Sequence, residues 1–427
     1  MTVFEVSAFL IGLSAVFGCL NHQFLRVPHT IGLVLMALAA SLTVISIDLV
    51  VPNAHVNRLI TDVLDQIDFH EALMHGMLSF LLFAGALHVD FSAFRSRLRA
   101  IGFLATLGTM ISTFAVATGV WLLFDLFNSD LPYIWALVFG ALISPTDPVA
   151  VLGLFKSVRV PETLQAKMTG ESLFNDGVGV VVFTVVVSIA VAGSADGDAL
   201  GVAEVAKLFL IEVFGGALLG IIAGYAGYRA MYHIDEHNLE VLITLAVVMV
   251  AYATAIRLHM SGPIAMVVAG LFIGDKGMKY AVSDNTRDYL QKFWSLLDEI
   301  LNSVLFLLIG LEVLVIARTD THVELAIMAI PLTLAARWLS IFIPMSLLGP
   351  WESFTKGAVP VLVWGGLRGG IAVALALSLP DNEYKGTILT LTYATVLFSI
   401  VIQGLSIKAL VKHVIPESEP RAAARSA

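Results

Sequence analysis

Four places in this chain put ionisable or helix-breaking residues inside otherwise apolar stretches. They are Ser144-Pro145-Thr146-Asp147-Pro148, the polar positions of Gly170 to Asp176, Arg337, and Arg368 among Gly365, Gly366, Gly369 and Gly370. A charge inside an apolar span costs roughly 3 kcal/mol or more unless it is paired, hydrated or functional, so these residues are where chemistry is expected. Glu171, Ser172, Asn175 and Asp176 fall within an arc of about 140° at about 100° per residue, on one helix face. Two carboxylates, a hydroxyl and an amide on one arc are hard oxygen donors of the kind that suits a small, weakly polarising cation such as Na+. The bland alternative is a helix start at the surface with solvated carboxylates. Lys167 is expected to mark that surface, with Asp176 about nine residues deeper, on the order of 13 Å.

The SPTDP segment cannot be a continuous helix, because Pro145 and Pro148 remove two backbone donors and clash with preceding carbonyls. An unwound crossing is expected, in which freed carbonyls near Thr146 can coordinate a cation. Asp147 can then compensate the positive end of the following half-helix. A simple proline kink capped by Asp147 is the alternative. Arg368 needs an anion, and Glu171 is the expected partner, forming an ion pair whose role is to hold two helices in register. Arg337 either packs structurally or extends its long stem to an interface, and its partner is left open.

These residues must be positioned by membrane-spanning helices. Of 427 residues, 58% are hydrophobic and 13% charged, against about 25% charged in a typical soluble domain. The mean hydropathy is +0.90. Apolar runs lie near 5–20, 31–47, 72–88, 100–124, 132–154, 165–191, 204–228, 239–256, 261–274, 293–316, 323–348, 358–379 and 387–411, about thirteen in all. The short ninth run could instead join the eighth as a re-entrant pair. The expected fold is an all-α polytopic membrane protein with a transmembrane domain over 1–412 and a short cytoplasmic tail, disordered, over 413–427. Lys and Arg set orientation during insertion. With the N-terminus outside and the C-terminus cytoplasmic, sixteen lie on inner segments, four on outer ones, and Lys207, Arg337, Arg368 and Lys408 fall in or at the edges of spans. If the first six and last six spans are inverted repeats, the broken fifth corresponds to the Gly-interrupted twelfth. Paired broken helices of this kind point to a transport site near the bilayer midplane.

Other classes are disfavoured. A net charge of -9 with no basic block argues against nucleic acid, and no GxxxxGK[ST] motif is present to hold a nucleotide. Cys19 is the single cysteine, so neither an intramolecular disulfide nor a multi-cysteine metal site can form. The first run lacks the basic start of a cleavable signal peptide and is expected to remain as a span.

The motifs SPTDPVAV (Ser144 to Val151), GESLFNDGVGVVVF (Gly170 to Phe183), FLLIGLE (Phe306 to Glu312) and WGGLRGGIAVALALSLP (Trp364 to Pro380) closely resemble the monovalent cation:proton antiporter-1 family, the NhaP-type sodium/proton exchangers. The likeness runs in order over nearly the whole chain. It implies a thirteen-helix homodimer in the bacterial inner membrane, with a dimerisation part and a moving core built on two crossed, discontinuous helices. It implies no cofactor and no enzymatic activity. By resemblance, Asp176 is the cation- and proton-binding carboxylate with Asn175 beside it. Ser172 and the Thr146 backbone are further ligands of the monovalent cation, Asp147 steadies Asn175, and Glu171 with Arg368 is the stabilising pair. The Asn-Asp order at 175 and 176 resembles the electroneutral exchangers and implies one sodium ion per proton. One departure stands out: where many prokaryotic members read LLFEGG, this chain reads LLFAGALHVD, with Ala84 in the acidic place. That widens the choice among Na+, Li+ and K+. His88 is read as a surface histidine, with an influence on pH response as the alternative.

The expected mechanism is competitive exchange, in which Asp176 holds either a proton or a cation and only the neutralised core crosses the barrier. K+/H+ exchange on the same fold is the main alternative. A passive cation channel, or an intramembrane aspartyl protease using Asp147 and Asp176, would leave the other intramembrane charges without roles.

Overall fold

The structure, a computed structural model, describes residues 3–50, 72–89, 97–147, 160–194, 202–232, 234–316, 323–349 and 357–415. The fifth apolar run beyond Asp147 lies outside the described residues; of the tail expected from 413, His413 and Val414 continue the last helix and the residues beyond 415 lie outside the described ones. The helices are α1 (Val3–Leu20), α2 (His29–Val50), α3 (Leu78–Leu87), α4 (Leu98–Leu126), α5 (Tyr133–Ile143), α6 (Glu162–Ser194) and α7 (Val202–Met231). After these come α8 (His237–Arg257), α9 (Gly262–Phe272), α10 (Asp284–Leu311), α11 (Val323–Leu348), α12 (Ala358–Trp364), α13 (Gly370–Leu377) and α14 (Lys385–Val414). Every apolar run of the sequence contains helix. Among the described residues, nine helices are long and apolar enough to cross a membrane. The remaining runs are carried by α3, α5, α9 and the α12–α13 pair. The eighth and ninth runs are separate helices, because His259 takes a left-handed backbone (φ 52°) and Ser261 caps α9 by accepting the Ile264 N–H.

The helices pack in two groups. In one, α2 lies against α10, α10 against α3, α3 against α9, and α9 against α7 and α8. In the other, α4 lies against α5 and α11, α5 against α6, and α11 against α14. They meet where α6 runs along α7 and α9 and where α10 touches α13. At about 1.5 Å per residue the 33-residue α6 is about 50 Å long, well beyond the roughly 30 Å hydrocarbon layer. Lys167, expected at the surface, is only 2% exposed. Its neighbour Met168 is covered by the end of α12 at Gly365, so α6 is packed rather than solvated at these two residues.

Two spans are interrupted, as the prolines and glycines predicted. α5 stops at Ile143 and α12 at Trp364, and between the two breaks the Asp147 N–H donates to Leu367 O at 2.8 Å in an isolated antiparallel bridge. The sequence did not reveal how the second break is supported. In α14 the turn Ser399–Gln403 is widened to a π-turn, which redirects side chains that a regular helix would place elsewhere. Ser399 Oγ accepts the Arg368 N–H at 2.8 Å, and Gln403 Nε2 donates to Trp364 O at 3.0 Å. One turn therefore satisfies a backbone group on either side of the break. Ser399→Ala and Gln403→Leu are each expected to lose about 1–3 kcal/mol, the cost of a buried backbone group left unpaired. Thermal unfolding of the detergent-solubilised protein checks this, and both melting points should fall.

Candidate cation and proton site

The polar face of α6 is buried as the helical spacing required. Glu171 and Asn175 are each 1% exposed, Ser172 is buried with them, and Asp176 is 7% exposed. Solvated carboxylates at a helix start are thus excluded. What surrounds that face differs from the sequence reading, first in the partner of Glu171.

Glu171 pairs with Arg337, not with Arg368. The guanidinium of Arg337 reaches across from α11 and binds the carboxylate with both of its terminal nitrogens, Nη1 to Oε1 at 2.5 Å and Nη2 to Oε2 at 2.9 Å. Nη2 also donates to Leu362 O at 3.2 Å, tying the pair to α12. Gly366 makes room for this arrangement: a Cβ there would lie 2.5 Å from Arg337 Nε. A planar fork meeting a carboxylate with two parallel bonds is the strong form of a buried ion pair.

Arg368 answers a different need. α5 ends at the first break with carbonyls that have no helical partner, and a helix C-terminus carries partial negative charge. Arg368 Nη1 donates to Ser144 O at 2.5 Å and to Pro145 O at 2.9 Å, so the guanidinium caps α5. In the reverse direction, the Asp147 carboxylate lies where a side chain at Gly369 would be, against the positive N-terminal end of α13. Asp147 was expected at the half-helix that follows its own break, which lies outside the described residues; its carboxylate lies at the start of the other. Each break thus supplies the charged residue that the helix end of the other requires.

Thr146 joins the first break to α6. Its N–H donates to Asn175 Oδ1 at 3.2 Å, its Oγ1 accepts from Asn175 Nδ2 at 2.8 Å, and its carbonyl accepts from Ser172 Oγ. Asn175 Nδ2 also faces Glu171 Oε1 at 3.4 Å. Thr146 and Glu171 therefore hold the Asn175 amide, the steadying role assigned to Asp147. Of the three carboxylates grouped here, Glu171 is neutralised by Arg337 and Asp147 sits at a helix end. Asp176, one turn beyond Ser172, makes no hydrogen bond or ion pair among the described residues, though Asp147 and Glu171 are within electrostatic reach. Burial makes its bare charge costly, so a proton or a cation is the natural counterpart.

On α3, Ala84 is buried and leaves that place without a carboxylate. His88 is exposed, as read from sequence, and its ring nitrogens face Ala84 O at 2.7 Å and Gln291 O at 3.3 Å. Cys19 is exposed on α1. The sequence reading passed over Asp298 and Glu299, two carboxylates hidden in the apolar run 293–316. The signal was available, since acids inside an apolar run call for a partner or for water; Asp298 is half-buried and Glu299 exposed. Asp298 Oδ1 accepts from Asn302 Nδ2 at 3.1 Å, within electrostatic reach of Asp147 and His88.

Removing one partner of a buried ion pair strands the other charge. Arg337→Ala is expected to cost about 3–5 kcal/mol, and combining Arg337→Met with Glu171→Met should recover most of it. Arg368→Ala should also lower stability, yet Glu171→Met should not repair it, because the stranded groups are the carbonyls of Ser144 and Pro145. Melting curves for the single and double variants separate the two pairings.

Comparison with known proteins agrees with this architecture. Residues 10–413 match the model of the family described as sodium/hydrogen exchanger, transmembrane. The chain is 45% identical to the Na(+)/H(+) antiporter NhaP of Pseudomonas aeruginosa over 415 residues, which cover 96% of both chains. It is 34% identical to the Na(+)/H(+) antiporter NhaH of Halobacillus dabanensis over 398 residues, covering 91% of this chain and 93% of that one. Its fold matches the sodium proton antiporter MjNhaP1 of Methanocaldococcus jannaschii at pH 8 with a TM-score of 0.74 and 19% identity, over 98% of this chain and all of that one. A chain with two crossed, interrupted helices and a match along nearly its whole length belongs to the sodium/hydrogen exchanger family.

Proposed function

We propose that this protein is a secondary antiporter that exchanges Na+ or Li+ for H+ across the cell membrane, one for one. The observation that carries this reading is Asp176: a buried carboxylate with no fixed partner among the described residues, one turn from Ser172 and beside the unwound backbone at Thr146. Ser172 Oγ and Thr146 O bond to each other, and both keep lone pairs with which to complete a monovalent cation's shell. One cation or one proton neutralises Asp176, and the two cannot share it. Competition for a single site is exchange, and equal charge on either passenger makes the cycle electroneutral. The relatives named as Na(+)/H(+) antiporters support sodium over potassium as the cation.

Alternating access requires part of the protein to move. The group containing α4, α5, α6, α11 and α14 carries Asp176 and the crossing, and we assign it as the moving core. The group of α2, α3, α7, α8, α9 and α10 is its static support and the dimerisation part of a homodimer. A neutralised core crosses the low-dielectric barrier at far lower cost than a charged one, which is why neither passenger need be driven by voltage. The distribution of Lys and Arg supports an N-terminus outside and a C-terminus in the cytoplasm.

In sealed liposomes carrying a pH gradient, Na+ or Li+ is expected to dissipate the gradient while a potential-sensitive dye stays silent. A response mainly to K+ would overturn the cation assignment. Asp176→Asn should abolish exchange without changing the melting temperature by more than a few degrees, and retained exchange in that variant would overturn the site. A cysteine added after Ala427 in a Cys19→Ser background should be protected from an impermeant maleimide in right-side-out vesicles.

A further inference from the structure

Asp298 has no part in the exchange cycle described above, yet it lies in an unusual place. It lies five residues inside the apolar run that begins at 293, on the order of 8 Å along α10, flanked by Leu296, Leu297, Ile300 and Leu301. A carboxylate at that depth persists only with a partner or with access to water. Its side-chain partner is the neutral Asn302 amide, and no ion pair is made by Asp298 among the described residues. It is half-buried.

Its direction follows from helical spacing. Leu305 is seven residues on, two turns along the same stripe, and packs against Gly370 at the start of α13. Gly369, one residue earlier, lies against the Asp147 carboxylate. The stripe Asp298, Asn302, Leu305 thus runs along the seam between the two helix groups and ends at the crossing. Among the described residues, the charged groups within electrostatic reach of Asp298 are Asp147 from the first break, His88 at the end of α3 and Glu299 beside it on α10. Acidic groups therefore stand on both sides of the seam, leading from α10 to Asp147 and on to Asp176.

We infer that Asp298 is a positioning residue for the incoming cation, a carboxylate on the static group that concentrates Na+ at the seam beside Asp147 and directs it to Asp176. This inference rests on the exchange reading. A low-dielectric cleft lined by charges of one sign raises the local concentration of counter-ions by about tenfold or more. Such a residue sets how readily the cation arrives and leaves untouched the loaded state that crosses the barrier.

The test is the initial rate of exchange against Na+ concentration, at fixed pH, in liposomes containing the full protein. Asp298→Asn is expected to raise the KM for Na+ about tenfold with kcat within about twofold, and Asp298→Glu to restore KM to within about threefold. The Na+ concentration that half-saturates the rise in melting temperature should move by the same factor as KM. An unchanged KM, or a fall in kcat at constant KM, would overturn the proposal in favour of a packing role. Asp298→Ser repeats the measurement in a smaller side chain; if neither it nor Asp298→Asn yields folded protein, the residue is structural and the proposal fails. Asp176→Asn runs alongside: exchange retained there would sink the site assignment, and the KM of Asp298→Asn would be judged independently.

Discussion

Two helices are cut inside the membrane, and the backbone groups released by each cut have to be satisfied without water. Lipid offers no hydrogen bonds, so this constraint governs everything near the crossing. The solution is reciprocal. Arg368, from the second break, holds the carbonyls of Ser144 and Pro145 at the end of α5, and Asp147, from the first, lies against the start of α13. The bridge from Asp147 N–H to Leu367 O sets the register of the two. Neither break would be tolerable alone, because each would present an uncompensated helix end and unpaired backbone to its surroundings.

The neighbouring helices contribute in proportion to this need. The π-turn of α14 delivers Ser399 and Gln403 to the second break, and α6 delivers Ser172 and Asn175 to the first, both converging on Thr146. Arg337 removes the charge of Glu171 from the electrostatic balance with two bonds and anchors α6 to α11 and α12. With those demands met by fixed groups, Asp176 is left as the buried carboxylate whose neutralisation is open to choice. Rigid surroundings and one exchangeable counter-charge are what a competitive site needs: the cation or proton finds preformed oxygens, and the protein does not reorganise to accept either.

The division into two helix groups gives the site its setting. Asp147, Glu171 and Asp176 belong to one group and Asp298 to the other, so Asp298 comes within electrostatic reach of Asp147 across the seam. Acidic groups on opposite sides of the seam favour a cation between them.

Composition and spacing alone determined that the chain is a helical membrane protein, where its spans lie, that the fifth and twelfth are interrupted, and that Glu171, Ser172, Asn175 and Asp176 share a buried face. These properties are local: they follow from residue type along a single helix, from the missing donor of proline and from the cost of charge in an apolar run. Pairing across space was decided only by the tertiary structure. Glu171 had two arginines within the spans to choose from, and nothing in the order of residues separates Arg337 from Arg368; the path of α11 beside α6 settles it in favour of Arg337. The burial of Lys167, the π-turn beneath Arg368 and the position of Asp298 opposite Asp147 have the same origin. Each depends on which helices come to lie side by side, and a partner on a distant helix leaves no mark on the local pattern.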